Sequence, residues 1–133
     1  MPIPLRGLAP LLQVYDMPRS LSFYRDALGF GLVSSNCPEP PYDWVLLRRD
    51  DVEVMLNTMY EADNRPAAVD AVRNATHSDV TLYIGCPDVD ALCAELRANG
   101  VAAGPPISAP YGMRQLSVSD PDGYALCFQW PVP

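Results

Sequence analysis

The sequence predicts an α+β domain built from two βαβββ halves. Three observations carry that expectation. First, the pattern strand, capping Asp, amphipathic helix, terminal Gly occurs twice, with Asp16 matched by Asp88 and Gly29 by Gly100, about 72 residues apart. Second, each helix is followed by a run of consecutive strand patterns. Such runs disfavour a doubly wound parallel sheet, in which strands and helices alternate. Third, Asp120-Pro121-Asp122-Gly123 sits between two alternating segments. Pro pre-sets φ for the turn and Gly tolerates the left-handed exit, so the segment predicts a hairpin with one buried face.

Residues 8–15 form the first predicted strand, with Leu12 and Val14 facing the core and Ala9, Leu11 and Gln13 facing away. Asp16 caps a helix carrying Pro18 in its first turn and Leu21, Tyr24 and Leu28 on its apolar stripe. Gly29 supplies the left-handed end of this helix. Strand two is expected at 30–36, and the Pro-rich stretch 37–41 reads as a loop. Strand three, 42–48, places Val45 and Leu47 on one face and Trp44 and Leu46 on the other. Strand four, 52–57, turns Val52, Val54 and Leu56 inward and Glu53, Met55 and Asn57 outward.

The boundaries predicted within a single domain, 1–133, are a first module at 8–57, a linker at 58–77 and a second module at 78–130. The linker holds Pro66 and a helical turn near 67–74. Strand five, 79–85, buries Val80, Leu82 and Ile84 and displays Thr81 and Tyr83. Asp88 caps a second helix whose stripe is Val89, Leu92, Cys93 and Leu96. A short strand is expected at 101–103, a loop at 104–112, and then the hairpin. The hairpin buries Leu116, Val118, Leu126 and Phe128 and shows Gln115, Ser117, Ala125, Cys127 and Gln129 on its other face.

A net charge of −7 leaves no basic patch for a phosphate backbone, so nucleic acid is excluded as a partner, and a cationic ligand is favoured. No apolar run reaches membrane-spanning length, and the first residues lack a signal-peptide pattern. The expected location is the cytoplasm. Cys37, Cys86, Cys93 and Cys127 form no C-x-x-C pair and read as reduced thiols. No Ser/His/Asp set is visible. Cys127 lacks a neighbouring base that would make it a nucleophile.

Three segments carry a family resemblance. They are Val14-Tyr15-Asp16-Met17-Pro18-Arg19-Ser20-Leu21-Ser22-Phe23-Tyr24-Arg25-Asp26-Ala27-Leu28-Gly29-Phe30, the run from Asp88-Val89-Asp90-Ala91-Leu92 to Asn99-Gly100, and Asp120-Pro121-Asp122-Gly123. Together they resemble the vicinal oxygen chelate superfamily, which holds glyoxalase I, extradiol dioxygenases, and bleomycin- and fosfomycin-resistance proteins. The resemblance implies paired modules whose strands curl into an open, cup-shaped mixed sheet, the glyoxalase/bleomycin resistance fold, completed in a homodimer. It also implies metal ligands (His, Glu or Gln) at four concave positions. Carried over, those positions are Ala9, Met55, Thr81 and Cys127, and Ala9 to Thr81 and Met55 to Cys127 are each 72 apart. This set suits no oxygen-loving divalent ion. The single histidine, His77, falls four residues before the strand-five position and reads as a solvated loop residue.

The expectation is therefore a concave face that binds a small molecule with no metal, no cofactor and no catalytic residue. The candidate ligand contacts are Gln13, Trp44, Glu53, Met55, Asn57, Thr81, Tyr83, Gln115, Ser117, Cys127 and Gln129, with Leu11 and Leu46 alongside. In character this is most similar to bleomycin-resistance-type proteins, which sequester a cationic antibiotic. Two rivals stand beside it. One is a metal-dependent lyase, isomerase or dioxygenase with a shifted site using His77 and Glu53. The other is a non-catalytic regulatory module whose face is closed by residues 58–77.

Overall fold

The computed structural model describes residues 2–60 and 64–133, so residues 61–63 of the expected linker lie outside the described residues. The first half contains β1 (Leu11–Val14), helix α1, β2 (Gly31–Ser35), β3 (Trp44–Arg49) and β4 (Val52–Thr58). Helix α1 is α-helical over Met17–Leu21 and widens to a π-helical path over Ser22–Ala27. A short helix α2 (Ala71–Ala75) and a 3-10 turn (Thr76–Asp79) lead into the second half. That half contains β5 (Thr81–Gly85), α3 (Val89–Ala98), β6 (Ile107–Ser108), β7 (Met113–Ser119) and β8 (Ala125–Pro131).

The two sheets have the same order, β1-β4-β3-β2 and β5-β8-β7-β6. In each, the first and last strands of the half pair in parallel and the rest run antiparallel. The predicted α+β class with open, mixed sheets is what the chain adopts. The repeat extends to the register: Leu11 pairs with Met55, and Tyr83 with Cys127, each residue 72 positions from its counterpart.

Both helices start as the sequence dictates. The Asp16 side chain accepts from the Arg19 amide and that of Asp88 from the Ala91 amide, which satisfies donors the first turn leaves open. Gly29 and Gly100 close the helices at φ +77° and +87°. The Cβ of an alanine at 29 would also meet the Arg49 guanidinium at 3.3 Å, whereas at 100 nothing among the described residues lies within 4 Å beyond its own neighbours. Gly29→Ala should therefore cost about 1 kcal/mol or slightly more, and Gly100→Ala less than Gly29→Ala, read from urea midpoints.

One apolar core spans both halves. It takes Tyr24 and Leu28 from α1, Leu92 and Leu96 from α3, and the inward residues Val45, Leu47, Val54, Leu56, Leu116, Val118, Leu126 and Phe128. Several expectations need correction. β1 is shorter than 8–15: the ladder with β4 begins where the Pro10 carbonyl accepts the Met55 amide and runs over Leu11–Val14. Leu21 is only partly buried, and Met17 and Ser20 take the inner face of the first turns. Val80 is exposed, since the 3-10 turn runs to Asp79 and the Val80 amide donates to the His77 carbonyl. The helical turn expected near 67–74 forms at 71–75.

The short strand expected at 101–103 forms instead at Ile107–Ser108. The Ala103 carbonyl accepts from Arg97 Nε at 2.8 Å and Ala103 itself is buried, so this segment packs under α3 and makes no ladder.

Candidate functional site

Side chains alternate across each strand, so the registers define rows on the face opposite the helices. In the first sheet the rows are Leu11–Met55–Leu46, Gln13–Asn57–Trp44 and Glu53–Arg48. In the second they are Tyr83–Cys127–Ser117, Gly85–Gln129–Gln115 and Thr81–Ala125–Ser119. The second sheet's face is the more open: Tyr83 is 60% exposed, and Thr81 and Ser117 are exposed. Cys127, at the centre of its row, is buried.

The predicted contacts form two groups. A cleft of about 600 Å³ is lined by Thr81, Tyr83, Gln115, Ser117 and Cys127, with Phe23 and Ala27 of α1 on another wall. Gln129 adjoins this group through its hydrogen bond to Gln115. Gln13, Trp44, Met55 and Asn57 stand together on the other sheet. Glu53 lies between the groups. It shares a second cleft, of about 470 Å³, with Thr81 and Tyr83, floored by Tyr24 and Phe30.

Charge on these faces is locally balanced. Glu53, the carboxylate among the predicted contacts, pairs with Arg48 at 2.7 Å directly across the strands. Burial raises the Cys127 thiol above its ordinary value, the wrong direction for a thiolate nucleophile. What remains is apolar and amide chemistry. Asn57 Nδ2 donates to Gln13 Oε1 at 3.2 Å, and Gln115 Nε2 donates to Gln129 Oε1 at 3.0 Å and to the Tyr111 hydroxyl at 2.8 Å. Tyr111 was not among the expected contacts. It lies in the loop before β7, where no periodicity marks a facing direction.

The four positions that the resemblance equates with metal ligands do not fit a divalent ion. Ala9 has no donor atom, Met55 offers a thioether, Thr81 a hydroxyl and Cys127 a buried thiol. Among the described residues no group of three or more His, Cys, Asp or Glu side chains converges. His77 does not reach this face. It is buried rather than solvated, stacks on Tyr124 with ring centroids 4.0 Å apart and planes within 5°, and its Nδ1 donates to the Asp122 carbonyl at 2.6 Å.

Tyr124 in turn grips β1. Its hydroxyl donates to the Gln13 carbonyl at 3.0 Å and accepts from the Gln13 amide at 3.2 Å. His77 thus supports the strand that carries Gln13 through Tyr124. The described part of the connection between the halves packs on Tyr15 and Asp16: the Arg65 guanidinium lies over the Tyr15 ring at 5.2 Å and pairs with Asp16 at 3.3 Å.

Known proteins share this architecture. The profile of the Glyoxalase/Bleomycin resistance protein/Dioxygenase superfamily matches residues 8–128. The chain belongs to that superfamily. Among curated superfamily relatives, a lactoylglutathione lyase of Haemophilus influenzae is 33% identical over 129 residues, covering 91% of this chain and 89% of the relative. Among solved structures, TnmS3, an antibiotic binding protein from a Streptomyces species, aligns with TM-score 0.70 and 25% identity over 98% of this chain and 99% of its own. A bleomycin-binding protein from bleomycin-producing Streptomyces verticillus, solved with copper(II)-bleomycin, aligns with TM-score 0.68 at 24% identity, over 95% and 96% of the two chains. At that identity the second likeness speaks for the superfamily fold alone. Among the described residues, no helix is long and apolar enough to cross a membrane.

Proposed function

We propose that this member of the superfamily binds and sequesters a small, antibiotic-like organic molecule on its concave faces, without metal-assisted chemistry, as a cytoplasmic homodimer. The observation that carries the reading is the donor set. The superfamily's metal positions hold Ala9, Met55, Thr81 and Cys127, while the same faces offer Trp44, Tyr83 and a series of amides and hydroxyls. Aromatic and thioether surface with a few polar groups is the usual lining of a small-molecule site. Likeness to an antibiotic binding protein over nearly the whole chain supports the ligand class.

A net charge of −7 favours a cationic ligand through the general field, although the Glu53–Arg48 pair leaves the face itself without a free carboxylate among the predicted contacts. A dimer is favoured because a single chain leaves Leu11 and Tyr83 exposed at 48% and 60% on the two faces. The four cysteines are free thiols, in keeping with a reducing compartment.

The test is a thermal-shift titration with bleomycin in the presence of a chelator. A ligand that binds the folded state alone stabilises by RT ln(1 + [L]/Kd), about 1.4 kcal/mol at ten times Kd. A dose-dependent rise in melting temperature is expected. A flat titration removes bleomycin as the ligand.

The second reading is an enzyme, favoured by the lactoylglutathione lyase at 33% identity. It requires His77 as a ligand or base, yet His77 Nδ1 is engaged by the Asp122 carbonyl and its ring face by Tyr124. A lactoylglutathione lyase assay with added divalent metal distinguishes the two: turnover abolished by His77→Ala supports the enzyme, and no turnover supports the binding protein.

A further inference from the structure

Each half carries a hydrogen-bonded pair of side-chain amides on the candidate face, and the two pairs share a repeat-equivalent residue. Asn57 and Gln129 lie 72 residues apart on the strands that pair on both sides, β4 and β8. Asn57 faces Gln13 across the ladder, and Gln129 faces Gln115. In the second half both N–H groups of Gln115 are spent, one on the Tyr111 hydroxyl at 2.8 Å and one on Gln129 Oε1 at 3.0 Å. In the first half Asn57 Nδ2 is spent on Gln13 Oε1 and on the Thr58 carbonyl, both at 3.2 Å.

An amide has two donor hydrogens and one acceptor oxygen. After the internal bonds among the described residues, each pair still holds one carbonyl oxygen and one NH₂ group for a ligand: Gln115 Oε1 with Gln129 Nε2, and Asn57 Oδ1 with Gln13 Nε2. A concerted flip of the Gln115–Gln129 pair exchanges the roles but keeps one of each, and the Tyr111 hydroxyl serves either sense because it both donates and accepts. Trp44 stands directly across from Asn57, and Tyr83 is a diagonal neighbour of Gln129, within the reach of an aromatic side chain.

We propose that the two pairs select planar carboxamides, aromatic or peptide-like, with one amide edge taken by each half. This rests on the concave faces being the ligand surface and names the group they recognise. A carboxamide edge supplies a donor to the free oxygen and an acceptor to the free NH₂. A carboxylate supplies acceptors alone and faces the amide oxygen unfavourably. An ammonium supplies donors alone. The selected feature is then a neutral amide, not the positive charge that the overall acidity suggests.

The test titrates the full chain, ¹⁵N-labelled, with nicotinamide, nicotinate and benzylamine, following the side-chain NH₂ signals of Gln13, Asn57, Gln115 and Gln129. Nicotinamide should give saturable shifts and bind about tenfold more tightly than nicotinate, the value of one discriminating hydrogen bond. Gln129→Glu and Gln13→Glu each keep the oxygen used within the pair and replace the free NH₂ by an acceptor. In the double variant nicotinamide should weaken about tenfold while benzylamine tightens, an exchange of preference that loss of structure would not produce.

Equal affinity for nicotinamide and nicotinate, no saturable shift at the solubility limit of nicotinamide, or an unchanged preference in the double variant overturns the inference. Nicotinamide binding without a bleomycin shift removes bleomycin as the ligand and leaves this inference standing. Bleomycin binding that ignores both substitutions removes this inference alone.

Discussion

Asp122→Ala should lower the unfolding free energy by about 3 kcal/mol. Asp122 has no exposed surface. Its carboxylate accepts from the Tyr15 amide at 2.9 Å and from the Ser20 hydroxyl at 3.2 Å, and the Arg19 guanidinium stands 3.8 Å away. All three partners belong to the first half, while Asp122 belongs to the second-half turn. Arg19 also donates to the Pro121 carbonyl at 3.2 Å, so the turn is docked onto the start of α1 by side chain and backbone together.

Truncation leaves a part-buried amide and a buried hydroxyl without their acceptor, and a buried group so orphaned costs its full desolvation. At an m-value near 1.5 kcal/mol/M, the urea midpoint should fall by roughly 2 M. Asp122→Asn retains an oxygen for the Tyr15 amide and should lose less than half as much. Hydrogen exchange at the Tyr15 amide should quicken in the alanine variant before exchange in β7 and β8 does, because the broken tie is the one between the halves. A midpoint shift under about 0.5 M would show that the turn is held by its backbone alone.

The same turn shows how far the sequence could be read. As a local object it was fully legible: Gly123 takes φ +85°, and its amide closes back on the Asp120 carbonyl at 3.1 Å. That its two carboxylates are buried was not, because their partners lie about a hundred positions away, and no spacing records a contact at that distance. The alternation of Val45, Leu47, Val54, Leu56, Leu116, Val118, Leu126 and Phe128 marked the inward face, since a sheet with one buried side imposes period two. The faces opposite could be drawn up by the same parity, but the cross-strand partners Gln13 with Asn57 and Gln115 with Gln129 follow from the register, which parity does not fix.

Side-chain pairing escaped parity. Glu53 is neutralised by Arg48, which alternation places on the same face but which had no stated role. His77 precedes a strand, as loop residues do, and the distant Tyr124 ring and Asp122 carbonyl make it a buried residue. Tyr111 sits in a Pro/Gly-rich loop with no period, and its place beside Gln115 follows from the path of the loop before β7. The repeat, by contrast, could be counted from Asp16 with Asp88 and Gly29 with Gly100, because helix caps need particular residues at fixed places.

Tyr24→Phe should cost about 2 kcal/mol near neutral pH and distinctly less at both ends of the pH range. The Tyr24 hydroxyl donates to Asp120 Oδ2 at 2.7 Å in the buried seam between the halves. Hydrogen bonds to a charged acceptor contribute about 1.5–3 kcal/mol. Burial raises the Asp120 carboxyl above its ordinary 3.8, even though the Tyr24 hydroxyl and the Asp122 and Tyr124 amides pull it down. In the window between 3.8 and the folded value, the folded state binds more protons than the unfolded one, so stability falls as pH rises through it.

Removing the Tyr24 hydroxyl takes away a bond that favours the ionised form. The folded value then rises further, and the variant loses more stability across a wider window. Below that window Asp120 is protonated in both proteins, the bond lost is between neutral groups, and the cost should shrink to about 1 kcal/mol. At the alkaline end burial first, then the neighbouring Asp120, raises the Tyr24 hydroxyl well above the ordinary tyrosine value of 10.0. Above that value the unfolded chain loses the Tyr24 proton while the folded chain keeps it, so wild-type stability falls with rising pH. The phenylalanine variant lacks this contribution, although Tyr124, raised mainly by burial, keeps part of the decline in both. Urea midpoints of the two proteins near pH 3.5, 7 and 10.5 should therefore differ most in the middle. No difference at any pH would mean that Tyr24 stabilises the seam through its ring alone, packed edge-on against Phe23 and Phe30 at 5.2 and 6.0 Å.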